Sequence, residues 1–183
     1  MDEIYIQQVL QGNVNSYRYL VEKYKNMVFT IAQGITKEDL VAEEVAQDTF
    51  LKAFQNLDRF KKKAKFSTWL YKIAVNESLR KVRKKSLKFE NLDDLTMNDE
   101  HIRMEPESIE QLHEEEQREM ITNILNKLNT NESLVLRLYY LEEMSIEEIN
   151  KITGFSSSNV KVILYRARKN FAARINKSVS YIH

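Results

Sequence analysis

A basic and aromatic segment from Phe60 to Lys85 has the residue types needed to bind single-stranded nucleic acid. Lysine side chains neutralise backbone phosphates, and aromatic rings stack on unpaired bases. Asn76 could hydrogen-bond a base edge, because its amide both donates and accepts. The candidate contacts are Lys61, Lys62, Lys63, Lys65, Lys72, Asn76, Arg80 and Arg83.

Helical spacing divides this segment into two faces. One face would carry Lys72, Asn76, Arg80 and Arg83, and the other would bury Phe66, Leu70, Ile73 and Ala74. Trp69 lies beside the apolar stripe, so we predict that it belongs to the core rather than stacking on a base.

A second candidate site lies between Met144 and Arg168, where the pattern predicts a helix-turn-helix. Ser145 and Glu148 have the spacing of a capping box at the start of the first helix. Gly154 would supply the left-handed residue that ends it.

The second helix of this motif has one apolar and one basic side. Its buried side would consist of Val160, Ile163, Leu164, Ala167 and Phe171. Its outer side would present Lys161, Tyr165, Arg166, Arg168 and Lys169 to the major groove of DNA. The alternative is an ordinary surface hairpin whose cations are merely solvated.

A third segment, residues 42–54, predicts a helix with a mixed polar face and one exposed leucine. Such a face could dock on another protein, or it could simply be solvated, because single exposed apolar residues are common.

The elements that position these sites are predicted to be helices. Three glycines and one proline leave few breaks, and the charged and aliphatic content suits amphipathic helices. We predict helices over residues 4–10, 17–33, 37–57 and 66–85, and then over 111–128, 129–141, 145–153 and 157–177. Breaks are expected near Gly12, Gly34 and the lysine run at residues 61–65, and Asn129 with Glu132 could form a further capping box.

Charge is strongly segregated although the net charge is only +1. Residues 59–89 contain twelve basic residues and one acidic residue, whereas residues 90–119 contain twelve acidic residues and two basic ones. The acidic stretch also holds the single proline, Pro106, and few apolar residues. We therefore predict an all-α protein of two small helical domains, 1–88 and 111–183, joined by an acidic flexible linker over 89–110.

Composition argues against an enzyme. The chain has no cysteine, and its three histidines, His101, His113 and His183, form no evident nucleophile–base pair or zinc set. We expect no cofactor and no metal. The N-terminus does not resemble a signal peptide, and no apolar run approaches the roughly 20 residues that span a bilayer, so a soluble cytoplasmic protein without membrane insertion is expected.

These segments, in this order, resemble the extracytoplasmic-function sigma factors of bacterial RNA polymerase. Residues 42–54 resemble the family's polymerase-binding helix, residues 66–76 its minus-ten-reading segment, and residues 141–171 its minus-thirty-five-reading helix-turn-helix. The resemblance implies a protein that binds core polymerase and directs promoter recognition and transcription initiation.

The resemblance also implies which residues make each contact. The lysine loop and the Asn76 helix would bind the minus-ten element and capture a flipped base. The minus-thirty-five contacts would come from Ser157, Ser158, Lys161, Val162, Tyr165, Arg166 and Lys169. Core polymerase would bind Glu44, Gln47, Asp48, Leu51 and Gln55.

The resemblance implies three partners: core RNA polymerase, promoter DNA and an anti-sigma factor. Core polymerase would be contacted through the clamp of its largest subunit and through its flap. The anti-sigma factor would hold the protein inactive until a stress or envelope signal arrives. Asn150 departs from the family, which commonly has alanine where the two helices cross. The main alternative is a conventional helix-turn-helix regulator that binds duplex DNA without polymerase. An adaptor that binds only protein would leave both basic faces unused.

Overall fold

The computed structural model describes residues 2–61, 63–86 and 114–179, and within these ranges the regular structure is helical. The predicted linker, 89–110, lies outside the described residues. The α-helices are α1 (Asp2–Leu10), α2 (Tyr17–Thr36), α3 (Asp39–Gln55), α4 (Phe66–Ser86), α5 (Glu114–Lys127), α6 (Thr130–Leu136), α7 (Ile146–Thr153) and α8 (Ser157–Val179). The prediction of an all-α protein is confirmed over this part of the chain.

Helices α2, α3 and α4 pack against one another and form the core of the first helical set. Their apolar residues recur at helical spacing, so each helix buries one side; Leu20, Val28 and Ile31 of α2 are fully buried. Helix α1 is joined to α2 by Asp2, which accepts hydrogen bonds from Lys23 Nζ (2.5 Å) and Tyr24 Oη (2.6 Å).

Two predicted breaks in the first set behave differently. Gly12 has φ +99° in the turn after α1, as expected for a glycine. Helix α2 instead continues through Gly34 and ends at Thr36, because Lys37 adopts the left-handed conformation at φ 59° and its N–H donates to the Gln33 carbonyl.

The second set begins with α5 and α6. Asn129 caps α6, and its side chain accepts a hydrogen bond from the Glu132 N–H at 2.9 Å. The reciprocal half of the predicted capping box is absent among the described hydrogen bonds, because the Glu132 carboxylate accepts from Asn170 Nδ2 of α8 at 3.0 Å. This bond ties the start of α6 to the long C-terminal helix.

A π-helical segment, Arg137–Leu141, follows α6 and buries a guanidinium. Arg137 is 2% exposed and donates to Asn126 Oδ1 at 2.8 Å and to Ser133 Oγ at 3.3 Å. Burial lowers the Arg137 pKa to about 10. No carboxylate is paired with this cation among the described ion pairs, so hydrogen bonds to neutral groups must offset its desolvation.

The two helical sets pack against each other. Helix α4 contacts α7, and α2 contacts α6. A Cβ added at Gly34 of α2 would lie 3.0 Å from Arg137 Nε and 3.2 Å from Arg137 Cδ, so the glycine lets α2 approach the π-helical segment closely. The buried core is continuous from the first set into the second.

None of the helices in the described ranges is long and apolar enough to cross a bilayer.

Candidate nucleic-acid interface

The helix-turn-helix forms as the sequence predicts. Glu148 N–H donates to Ser145 Oγ at 3.2 Å, and Ser145 N–H donates to Glu148 Oε2 at 3.0 Å, which completes the capping box. Gly154 has φ 76° and its N–H donates to the Asn150 carbonyl, which closes α7. Local sequence therefore fixes both ends of the first helix of the motif.

Asn150, which stands where the family commonly has alanine, stabilises the turn between α7 and α8. Its Nδ2 donates to the Phe155 carbonyl at 2.6 Å, so the side chain bridges the residues between α7 and α8. Thr153 adds a second bond across the same turn, since its Oγ1 accepts from the Phe155 N–H at 3.2 Å.

Ser156, which the sequence analysis did not single out, caps α8. Its Oγ accepts a hydrogen bond from the Asn159 N–H at 3.2 Å, and its carbonyl accepts from Val160 N–H at 2.9 Å. The signal was present in sequence, because a serine directly before a helix is a common N-cap. The cap places Ser157 and Ser158 in the first turn of α8, and both are exposed.

The outer face of α8 is open to solvent. Val160, Leu164 and Ala167 are buried beneath it, whereas Val162 is 46% exposed and Tyr165 is 70% exposed. The other predicted minus-thirty-five residues, Lys161, Arg166 and Lys169, are also exposed. One continuous face thus carries all the residues predicted for this contact.

Arg168 belongs to a different part of α8. Its Nε donates to Tyr140 Oη at 2.7 Å, and its guanidinium lies 5.6 Å and 5.5 Å from the ring centroids of Tyr139 and Tyr140. It therefore fixes α8 against the π-helical segment rather than extending the free basic face.

Helix α4 places its predicted nucleic-acid residues on one exposed face. Lys72, Asn76, Arg80 and Arg83 are exposed, while Phe66, Leu70 and Ala74 on the other side are buried. Trp69 is half-buried, and its ring packs 5.4 Å from that of Phe60 and 5.7 Å from that of Phe66. It belongs to the aromatic cluster at the start of α4, as predicted, and retains some exposure.

The lysine loop lies between Phe60 and α4. Lys61 and Lys63 are exposed, and Lys62 lies outside the described residues. Lys65 Nζ pairs with Glu148 Oε1 of the helix-turn-helix at 3.1 Å. A cation assigned to one DNA element therefore contacts the motif assigned to the other.

An ion cluster links α4 to α3. Arg80 donates to Glu77 from Nε at 3.0 Å and from Nη2 at 2.7 Å, and the same Nη2 lies 3.5 Å from Asp48. Lys52 Nζ reaches the other Glu77 oxygen at 2.5 Å. Burial raises the pKa of Glu77, but the hydrogen bonds from Lys52 and Arg80 outweigh it, so the pKa lies below its usual value. Arg80 and Asp48, predicted to bind DNA and polymerase respectively, are thus neighbours.

The predicted docking face of α3 is accessible. Leu51 is 55% exposed beside the exposed side chains of Gln47 and Gln55. Glu44 pairs with Lys81 of α4, and Asp48 lies 3.9 Å from the same ammonium group. The face therefore combines one apolar side chain with carboxylates held in place by α4.

The described ranges contain no cluster of three or more histidine, cysteine or acidic side chains able to hold a metal ion.

Two family models match the chain, the first over the α3 and α4 surfaces and the second over the helix-turn-helix. Sigma-70 region 2 matches residues 20–87, and Sigma-70 region 4 matches residues 118–171. A curated relative, the ECF RNA polymerase sigma factor SigW of Bacillus subtilis, is 30% identical over 171 residues, which are 90% of this chain and 91% of the relative. The chain belongs to the ECF family of RNA polymerase sigma factors. Region 2 of this sigma factor contains α3 and α4, and region 4 contains the helix-turn-helix.

A second relative agrees. The ECF RNA polymerase sigma factor SigM of Bacillus subtilis is 29% identical over 163 residues, covering 88% of this chain and 96% of the relative. Among solved structures, the sigma factor RpoE of Bartonella quintana, in complex with the anti-sigma factor NepR, has the same fold with a TM-score of 0.68 at 21% identity. That match covers 87% of this sigma factor and 96% of the Bartonella chain.

Proposed function

We propose that this sigma factor docks on the clamp of core RNA polymerase through α3 and directs initiation by reading two promoter elements. The exposed face of α4 and the lysine loop bind the minus-ten element. The outer face of α8 enters the major groove of the minus-thirty-five element. In this role the protein is a binding factor that acts in the cytoplasm, and polymerase supplies the catalysis.

The observation that carries the proposal is the pairing of two exposed cationic faces, on α4 and α8, in one chain with an exposed docking face on α3. Asn76 gives the α4 face a group that can read a base edge. Arg80 Nη2 lies 3.5 Å from Asp48, which supports a proposed docking face next to the proposed DNA face. Polymerase bound at α3 would therefore hold DNA where α4 can reach it.

Promoter opening by such a protein needs no nucleotide hydrolysis. Unstacking a base costs a few kcal/mol, and binding of the flipped base to protein can offset that cost. Residues 61–65 and Asn76 are our candidates for capturing the base.

We further infer that an anti-sigma factor regulates this protein by covering the α3 and DNA-binding faces. The inference rests on family membership and on the Bartonella relative, which was solved with an anti-sigma factor bound. Expression of the partner should abolish core binding, and a partner that leaves core binding intact would contradict this mode of control.

The test is transcription from a genomic promoter library by sigma-free core polymerase, with and without this protein, with transcript starts mapped by sequencing. We expect starts that depend on the protein and share two upstream elements. A protein that fails to bind core but binds duplex DNA alone would instead be a conventional helix-turn-helix regulator.

A further inference from the structure

A cavity of about 390 Å³ opens where region 2 meets region 4. The lining includes Asn26, Met27 and Thr30 of α2, Tyr71 of α4, and Leu141 and Glu142 of region 4. None of these residues belongs to the surfaces assigned to DNA or to core polymerase. A cavity of this size accommodates a small organic molecule.

Glu142 brings to this cavity a carboxylate that no cation neutralises among the described ion pairs. Its side chain is half-buried, and this burial raises its pKa. Lys23 also lines the cavity, but its Nζ is bound to Asp2 Oδ1 at 2.5 Å. A cationic ligand beside Glu142 would therefore offset the cost of burying its charge.

The hydrogen-bonding groups of the cavity favour a primary ammonium as that cation. Tyr71 Oη donates to Glu142 Oε2, and no donor from the rest of the described chain contacts Oε1. Asn26 and Thr30 lie one turn apart on α2, and neither side chain is hydrogen-bonded to another described residue. Three acceptors around one opening match the three N–H donors of an ammonium group. A guanidinium would instead pair best with both carboxylate oxygens, and one of them is engaged here.

The remaining walls suit a hydrocarbon chain. Met27 is half-buried and Leu141 is 51% exposed, and both side chains line the same cavity. An alkyl chain packed on them would be removed from water while its ammonium end stays at the polar groups. The lining thus combines one unpaired carboxylate, two neutral acceptors and an apolar surface.

We propose that this cavity is a binding site for a small alkylamine, whose ammonium group donates to Glu142 and to the polar side chains of α2. Because its walls come from both regions, a bound amine holds region 2 against region 4. Reading two separate promoter elements would part the regions and remove one wall, so the amine and promoter DNA oppose each other. The site is independent of the proposed function, whereas its effect on initiation rests on that function.

The first experiment is calorimetric titration of the full-length protein with pentylammonium. We expect a Kd of about 1 mM or lower. Pentyltrimethylammonium has the same charge without N–H donors, and 1-pentanol has the same chain without the charge, so both should bind at least about tenfold more weakly. Nα-acetyl-lysine methylamide should bind at least about fivefold more weakly than pentylammonium. Equal binding of those two would contradict a free amine and assign the site to the lysine side chain of a partner protein.

Two variants test the residues. Glu142→Gln keeps the size of the side chain without its charge and should weaken pentylammonium binding by about tenfold or more. Asn26→Ala, at an exposed position on α2, should weaken it by about threefold and keeps the test valid should Glu142→Gln disturb the contact between the regions. Glu147→Gln, at an exposed glutamate of region 4 outside the cavity, is the matched control and should bind as the wild type does. Wild-type affinity in both Glu142→Gln and Asn26→Ala would overturn the assignment, as would equal binding of pentylammonium and its trimethyl analogue.

The second experiment is transcription with core polymerase at ten times the measured Kd of pentylammonium. Relative to the same concentration of pentyltrimethylammonium, the yield of the wild type should fall by about threefold or more, and that of Glu142→Gln should not change. Equal yields of the wild type with the two amines would overturn the opposition between ligand and promoter. Wild-type protein that gives no core-dependent transcript without any amine would contradict the proposed function itself, while the calorimetric result would still decide the site.

Discussion

The Tyr71 hydroxyl donates a hydrogen bond to Glu142 Oε2 at 2.8 Å, joining the helix that carries Asn76 to the residue after the π-helical segment. Tyr71 is 1% exposed and Glu142 is half-buried. The bond spans the contact between region 2 and region 4. It therefore reports on how firmly the two regions are held together in the free protein.

Removing this bond should lower stability by about 1 kcal/mol, because a buried hydrogen bond contributes that much and its loss leaves a partly buried carboxyl unpaired. A double-mutant cycle of Tyr71→Phe and Glu142→Ala in urea would measure the coupling, because each change removes one partner of the bond. Tyr165→Phe, at a 70% exposed tyrosine, is the control and should change stability by less than about 0.5 kcal/mol. A coupling energy near zero would mean that the bond does not hold the regions together.

Local rules account well for the parts of the fold that depend on near neighbours. The capping box at Ser145 and the left-handed Gly154 each involve residues a few positions apart, so their types and spacing were sufficient. The exposed faces of α4 and α8 followed from helical periodicity for the same reason.

Contacts between distant residues could not be predicted in this way. Tyr71 and Glu142 are 71 positions apart, and nothing in either neighbourhood specifies the other. Glu132 had the spacing of a capping box but bonds Asn170, 38 positions away, because packing brings α8 beside α6.

The pH dependence of stability should differ between two glutamates at the regional contact. Burial raises the pKa of Glu142, and the Tyr71 bond only partly opposes it. A carboxyl with a raised pKa in the folded state contributes stability that is fully present below its unfolded pKa, near 4.5, and is lost as pH rises through the folded value. Stability of the wild type relative to Glu142→Gln should therefore fall as the pH rises above about 4.5.

Glu148 should give the opposite dependence. The hydrogen bond from the Ser145 N–H lowers its pKa, burial opposes this, and the bond from Lys65 lowers it further. Its contribution is present above the usual value of 4.5 and is lost as pH falls through the lower folded value. Urea titrations of the wild type, Glu142→Gln and Glu148→Gln at a series of pH values would check both predicted directions of the pH dependence. Parallel pH curves for the two variants would contradict the assigned environments.

Core binding should depend on Leu51. An aspartate there places a charge in the centre of the proposed docking face, so Leu51→Asp should weaken binding to core polymerase by about tenfold or more. Ile4→Asp is a control on a different helix, α1, since Ile4 is 61% exposed and lies outside the proposed face. Fluorescence anisotropy with labelled protein would measure both affinities. Equal affinities for the two variants would remove α3 as the docking helix.

The two regions should separate when the sigma factor binds promoter DNA. Lys65 Nζ of region 2 lies 3.1 Å from Glu148 Oε1 of region 4 in the free protein. The centres of the minus-ten and minus-thirty-five elements, in contrast, lie roughly 80 Å apart along straight B-DNA. The chain has no cysteine, so dyes can be attached at Asp58→Cys and Lys151→Cys, both at exposed positions. Energy transfer should be high in the free protein and fall sharply with core and promoter. Unchanged transfer would show that the regions remain packed together.

The most direct test of the central claim is a matrix of protein variants and promoter templates in transcription with core polymerase. Asn76→Ala should lower yield on the intact promoter, and this loss should disappear only when the element nearer the start is altered. Arg166→Ala should also lower transcript yield on the intact promoter. This difference from the wild type should disappear only on templates in which the element farther from the start is altered. If each variant instead loses the same factor on every template, the α4 and α8 faces do not read separate promoter elements.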